Sequence, residues 1–160
     1  MKVSIVMGSI SDRKIAERTI DILNIFGVEY ELNVISAHRT PYLAMEFAEK
    51  AEENGTEVII AIAGKAAHLA GIIAGITPLP VIGIPVKSST MDGLDSLLSV
   101  VQMPKGVPVA TVAIDGGENA GLLAVQILSI KYPELREKFK EYKLKLAQDV
   151  KLMNEDLKSE

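Results

Sequence analysis

The chain has no cysteine among its 160 residues. That excludes disulfides, thiolate nucleophiles, iron–sulfur clusters and cysteine zinc sites. It has only two histidines, and no His–Glu spacing suggests carboxylates completing a metal site around them. Aromatic residues make up 4% of the chain, and 17 basic residues face 21 acidic ones for a formal net charge of −4. With no basic stripe and few stacking side chains, nucleic-acid binding is a poor fit. No apolar run is long and clean enough to span a membrane. The longest stretch of low charge, residues 58–86, is broken by glycines, prolines, Lys65 and His68. The opening MKVSIVMGS has an apolar run too short for a signal peptide. These features predict a cytoplasmic protein, and any anionic ligand must be held by local groups rather than by global charge.

What is present points to one domain with a substantial core, since 48% of the residues are apolar. Short β-rich runs occur at Val3–Met7, Tyr30–Ile35, Val58–Ala63, Pro80–Pro85 and Val107–Ile114. Helical patterns lie between them. Ile15, Ile20, Leu23 and Phe26 mark a helix ending at Gly27, and Pro41–Glu53 carries Leu43, Phe47 and Ala51 on one face. Ala66–Gly75, Gly93–Val101 and Asn119–Ile130 supply three more. Strands alternating with helices predict a doubly wound α/β domain, a parallel sheet with helices on both faces. The continuous apolar strands agree, because parallel strands are buried on both sides.

The segment after Tyr132 differs. Pro133 suits a first helical turn, and Leu135, Phe139, Tyr142, Leu146, Val150, Met153 and Leu157 then recur at helical spacing among dense charge. A helix of roughly 25 residues runs nearly 40 Å, longer than the small sheet beside it. Residues 1–131 are therefore read as the α/β unit, and residues 132–160 as a helical extension of the same domain, either lying on its own sheet or, as its length favours, packing on a neighbouring subunit.

The chemically informative residues fall at strand ends: GSISD after the first strand, SAHR after the second, AGKAAHLAG after the third, KSST after the fourth and DGGEN after the fifth. In open parallel sheets ligands bind at that edge. Gly8 permits a sharp turn, and Ser9 to Asp12 has capping-box spacing. Its hydroxyls and exposed N–H groups suit a phosphate, whereas Asp12 suits sugar hydroxyls. In SAHRTP, Thr40 and Pro41 are good first residues for a helix, which places His38 and Arg39 in the connection before it. Arg39 offers a planar fork for phosphate. His38 is the side-chain type that exchanges a proton near neutral pH. For His68 a structural role and a ligand contact remain equally open, and Lys65 is either a solvated loop lysine or a charge facing an anionic substrate. The chain lacks the acidic pair of a receiver domain, the flavin-stacking aromatics of a flavodoxin and the G-x-S-x-G elbow of a serine hydrolase.

MGSISD, SAHRTP, AAHLAG, LPVIGIPV and GLDSLLSVVQMPKGVPVATVAI followed by NAGLLA closely resemble the N5-carboxyaminoimidazole ribonucleotide mutase family of de novo purine biosynthesis. The resemblance runs from about Lys2 to Tyr132, with five motifs in the family's order. It implies a flavodoxin-like three-layer α/β/α fold, a homo-octamer, a small-molecule nucleotide substrate, and no metal or organic cofactor. It implies that Ser9, Ser36 and Arg39 hold the phosphate, that Ser11 and Asp12 meet the ribose, and that His38 is general acid and base. The segment Ala67, His68 and Leu69 would line the pocket for the aminoimidazole and the migrating carboxyl group. Gly8, Ala37, Gly64 and Lys65 adjoin these positions and are further candidates. A functional link to an enzyme supplying the N-carboxylated substrate also follows from the resemblance. There are departures: the mutase branch usually has glycine at Lys65, proline at Ala70 and an aromatic residue at Arg13. A branch that carboxylates aminoimidazole ribonucleotide directly often has a basic residue at the Lys65 position but lacks the AAH that follows here. Direct carboxylation is one alternative, and a non-catalytic nucleotide-binding relative is another. The intact SAHR argues against the second.

Overall fold

The computed structural model describes residues 1–159. Five strands, β1 (Lys2–Met7), β2 (Glu29–Val34), β3 (Val58–Gly64), β4 (Val81–Val86) and β5 (Ala110–Thr111), form one sheet in the order β2-β1-β3-β4-β5. Every pairing is parallel. The order reverses between β1 and β3, and in doubly wound sheets the crevice at that reversal takes the ligand. Side chains alternate across the sheet. Val58, Ile60 and Ile62 enter one apolar cluster, while Ile59, Ala61 and Ala63 enter another on the opposite face.

The first cluster is built with helices α1 (Arg13–Phe26), α5 (Gly117–Leu128) and α6 (Pro133–Ser159). The second is built with α2 (Pro41–Lys50), α3 (Leu69–Ala74) and α4 (Leu94–Val101). The helix α1 ends as its sequence predicts. Gly27 adopts φ 70°, its N–H donates to the Asn24 carbonyl, and the Val28 N–H reaches back to Leu23, the Schellman pattern that glycine favours. Helices α1 and α5 approach so closely that a Cβ on Gly117 would sit 2.4 Å from the Ile15 carbonyl oxygen. The Thr19 hydroxyl closes this contact by donating to the Gly117 carbonyl at 2.9 Å.

Three elements differ from the sequence expectation. The fifth strand is two residues long rather than spanning 107–114. It is an edge strand, Pro108 has no N–H to donate, and the Val107 N–H is spent in a turn on Pro104. Helix α2 stops at Lys50 instead of Glu53, where a turn through Gly55 (φ 81°) leads into β3. Helix α3 starts at Leu69 rather than Ala66, because Lys65 takes a left-handed conformation (φ 57°) that begins a loop.

Helix α6 is long, as its periodicity predicts, but only its first turns touch the body. Leu135 is fully buried. Phe139 and Tyr142 pack on Phe26 with ring centroids 5.7 Å away in each case. Further along, Leu146, Val150, Met153 and Leu157 are exposed. Among the described residues no helix is long and apolar enough to cross a membrane.

Candidate active site

The loops leaving β1, β2, β3 and β4 surround a cavity of about 630 Å³, lined by residues of all four. That size suits a small organic ligand. From the first loop come Gly8, Ser9, Ser11 and Asp12, and from the second Ser36, Ala37, His38 and Arg39. The third contributes Gly64, Lys65, His68 and Leu69, and the fourth Lys87, Ser88 and Ser89. Every sequence-predicted site residue except Ala67 therefore lines one space. The Ala67 methyl is buried beneath it, in the alanine-rich cluster.

Local hydrogen bonds explain how each loop holds its shape. Ser9 caps a single 3-10 turn (Ile10–Asp12), its Oγ accepting the Ser11 N–H at 3.3 Å. Asp12 is nearly buried and accepts from the Ser11 hydroxyl at 3.2 Å. Thr40 was expected to cap α2, but its hydroxyl turns backward instead. It donates to the Ser36 carbonyl at 2.9 Å and accepts the Ser36 N–H at 3.2 Å, so residues 36–40 form a closed loop presenting His38 and Arg39. Arg39 Nε donates to Ser36 Oγ at 3.1 Å, and its Nη2 reaches the Gly8 carbonyl at 3.1 Å, across to the β1 loop. This leaves Ser9, Ser36 and Arg39 gathered where a phosphate would meet hydroxyls and one guanidinium.

His38 Nε2 and His68 Nδ1 are 2.9 Å apart, with the rings edge to face at 71°. One proton lies between these nitrogens, so whichever ring donates, the other must accept there. The pair joins the β2 and β3 loops across the cavity mouth.

The cavity is asymmetric in charge. Asp12 is its one lining carboxylate, against three lining cations, Arg39, Lys65 and Lys87. Burial pushes the Asp12 carboxyl above its ordinary 3.8, hydrogen bonds from Ser11 and Ser9 pull it down, and the charge of Asp115 adds to the rise. A carboxyl whose folded pKa is raised binds its proton more readily when folded. The ionised form therefore weakens the fold at neutral pH, and the loss is recovered as pH falls through the raised value toward 3.8. Asp12→Asn is expected to raise Tm at pH 7 and to flatten its rise on mild acidification. A Tm at pH 7 no higher than that of the parent chain would show that burial of this carboxylate costs nothing.

Lys87, Ser88 and Ser89 of the KSST stretch after β4 complete the rim, beyond the residues that the family resemblance implies. The signal was their place at the same sheet edge. Their loop is held from two sides, with the Ser88 hydroxyl on both Asp95 oxygens at 2.8 and 3.0 Å and the Lys87 N–H on Asp115 Oδ1 at 2.9 Å. The DGGEN loop thus supports the cavity through Asp115 without lining it.

The sequence profile of the AIR carboxylase family matches residues 2–149. The chain belongs to this family. Its AIR carboxylase relatives include the N5-carboxyaminoimidazole ribonucleotide mutase of Thermotoga maritima, 58% identical over 93% of this chain and 87% of that protein. The mutase of Pyrococcus horikoshii is 63% identical over 88% of this chain and 79% of its own length. The crystal structure of Treponema denticola PurE superimposes with a TM-score of 0.90 at 32% identity, covering 98% of both chains. The AIR carboxylase fold is thus the flavodoxin-like arrangement seen here.

Proposed function

We propose that this chain is an N5-carboxyaminoimidazole ribonucleotide mutase of purine biosynthesis, an isomerase that moves a carboxyl group from the exocyclic nitrogen of an aminoimidazole to its ring carbon C4. The observation that carries the reading is the identity of 58% and 63%, over most of the chain, to relatives bearing that name. The cavity has the parts that the reaction needs.

Ser9, Ser36 and Arg39 hold the nucleotide phosphate, and Ser11 and Asp12 meet the ribose. With both anchored, the base extends toward the His38–His68 pair. Protonated His38 gives its proton to the nitrogen as the N–CO₂ bond breaks, releasing carbon dioxide and aminoimidazole ribonucleotide within the cavity. The amine donates electron density into the ring, C4 attacks the carbon dioxide, and the new C–C bond forms. Neutral His38 then removes the C4 proton and restores aromaticity. The proton count closes, and one imidazole serves as acid and then as base. Anchoring at the phosphate end keeps C4 and carbon dioxide within attack distance, and the small residues of the 63–70 segment limit room for water. His68 fixes which His38 nitrogen carries the proton between steps.

The rest of α6 fits self-association. Its distal apolar stripe has no core of its own chain beneath it, and a neighbouring copy covers it in an octamer of this chain. The decisive assay compares freshly made N5-carboxyaminoimidazole ribonucleotide with aminoimidazole ribonucleotide plus bicarbonate, following the C4-carboxylated product. Fast turnover of the first, with little of the second except at very high bicarbonate, is expected. Efficient product only from the second, rising with dissolved carbon dioxide, would make the chain a direct carboxylase.

A further inference from the structure

Three non-glycine residues occupy the left-handed backbone region: Lys65 at φ 57°, Asp92 at φ 54° and Asp115 at φ 56°. A Cβ makes that conformation unfavourable, and short polar side chains tolerate it best by bonding locally. Both aspartates have such bonds. Asp92 pairs with the Lys87 ammonium at 2.7 Å, and Asp115 accepts the Lys87 N–H at 2.9 Å. Of the three, Lys65 alone has no such bond: its ammonium forms no ion pair or hydrogen bond among the described residues. Glycine would satisfy the backbone at lower cost. Lys65 therefore combines a disfavoured backbone conformation, no side-chain partner in its own fold, and a place in the cavity wall.

The charges already assigned narrow the choice of what it meets. Arg39 is fixed between the β1 and β2 loops at the phosphate end. The Lys87 ammonium already has a partner, Asp92 at 2.7 Å. Lys65 is the remaining cation, and it stands three residues before His68, in the loop that carries one half of the histidine pair.

Resting on the mutase reading, we propose that Lys65 is the counter-ion of the migrating carboxyl group. The substrate and the product each carry that carboxylate, whereas the decarboxylated intermediate and carbon dioxide do not. A cation here therefore holds both carboxylated nucleotides and discriminates against aminoimidazole ribonucleotide. It is a specificity-determining residue in the β3 loop, beside the histidine pair.

The test is calorimetric titration of the full chain with the C4-carboxylated nucleotide and, separately, with aminoimidazole ribonucleotide. Lys65→Ala is expected to weaken the first about tenfold, the size of a lost charge-assisted hydrogen bond, and to leave the second unchanged. Lys65→Arg should restore most of the loss. Lys65→Gly should bind as the alanine variant does but melt above both it and the parent, because the left-handed strain is relieved. Equal weakening of both nucleotides would put the lysine on the phosphate and overturn the proposal, as would no weakening of either. A changed mass of Lys65→Ala by light scattering would assign the ammonium to a neighbouring copy, and a Lys65→Gly variant melting no higher than the parent would remove the strain argument; either result overturns the proposal. If the parent chain fails to isomerise N5-carboxyaminoimidazole ribonucleotide, the reading of the reaction falls, while the difference between the two affinities still decides the role of Lys65.

Discussion

His38→Asn is expected to lower turnover by about 10²- to 10⁴-fold, the range for losing a group that moves a proton in the transition state. Affinity for the C4-carboxylated nucleotide, measured by calorimetry, should change little. The proposed phosphate contacts come from Ser9, Ser36 and Arg39, and the 36–40 loop is closed by Thr40 rather than by the imidazole. Thermal stability should also hold, since His38 is exposed and its one side-chain partner is His68. The separation of turnover from binding is the informative result. A variant that turns over at a near-normal rate would remove His38 from the proton-transfer role. One that neither binds nor folds would show that the histidine pair is a structural clasp.

The second large effect concerns α6, and two truncations give different outcomes. Ending the chain after Lys143 removes the part with no core beneath it, and keeps Leu135, Phe139 and Tyr142 against Phe26. The domain should fold, with a lower assembly mass by light scattering. Ending it after Tyr132 also strips Leu135 and the aromatic stack from the core. Deleting one buried Leu or Phe side chain costs roughly 2–5 kcal/mol, and a domain has only about 5–15 kcal/mol to lose. That shorter chain should fail to fold, so its mass says nothing about the interface. An unchanged mass for the Lys143 truncation would refute an assembly role for the distal helix.

Much of this was legible in the sequence because the signals were local. Buried parallel strands read as continuous apolar runs, and Gly27 ended α1 where its left-handed propensity required. The candidate residues of the site clustered because chain reversals at one sheet edge collect them. What sequence could not show was nonlocal. The approach of His38 to His68 depends on β2 and β3 flanking β1, thirty positions apart in sequence. The Thr40 hydroxyl had two equivalent uses, capping the helix or closing the loop behind it, and only the loop geometry selects one. Ala67 was placed at the surface of the cavity by its neighbours in the motif, whereas the backbone turns its methyl inward. Segment ends were also displaced, as at β5, where an edge position and Pro108 outweigh the apolar pattern.

The scarcity of aromatic residues takes on a different meaning beside the two apolar clusters. Two of the three phenylalanines lie in one stack with Tyr142, on the α1–α5–α6 side of the sheet. The opposite side sets Ala37, Ala44, Ala48, Ala51, Ala61, Ala63, Ala67 and Ala70 among larger aliphatic residues such as Ile35, Ile59 and Ile73. The two sides therefore drift under opposite constraints. The aromatic side is vulnerable to truncation, because each ring removed leaves a hole. The alanine side is vulnerable to enlargement, because each added methylene pushes a helix outward, and the three helices there, α2, α3 and α4, each follow a loop that lines the cavity. Sequence divergence among functional descendants of this chain should accordingly run through exchange of one bulky residue for another on the first side. On the second, the alanine positions should admit only alanine, glycine and serine.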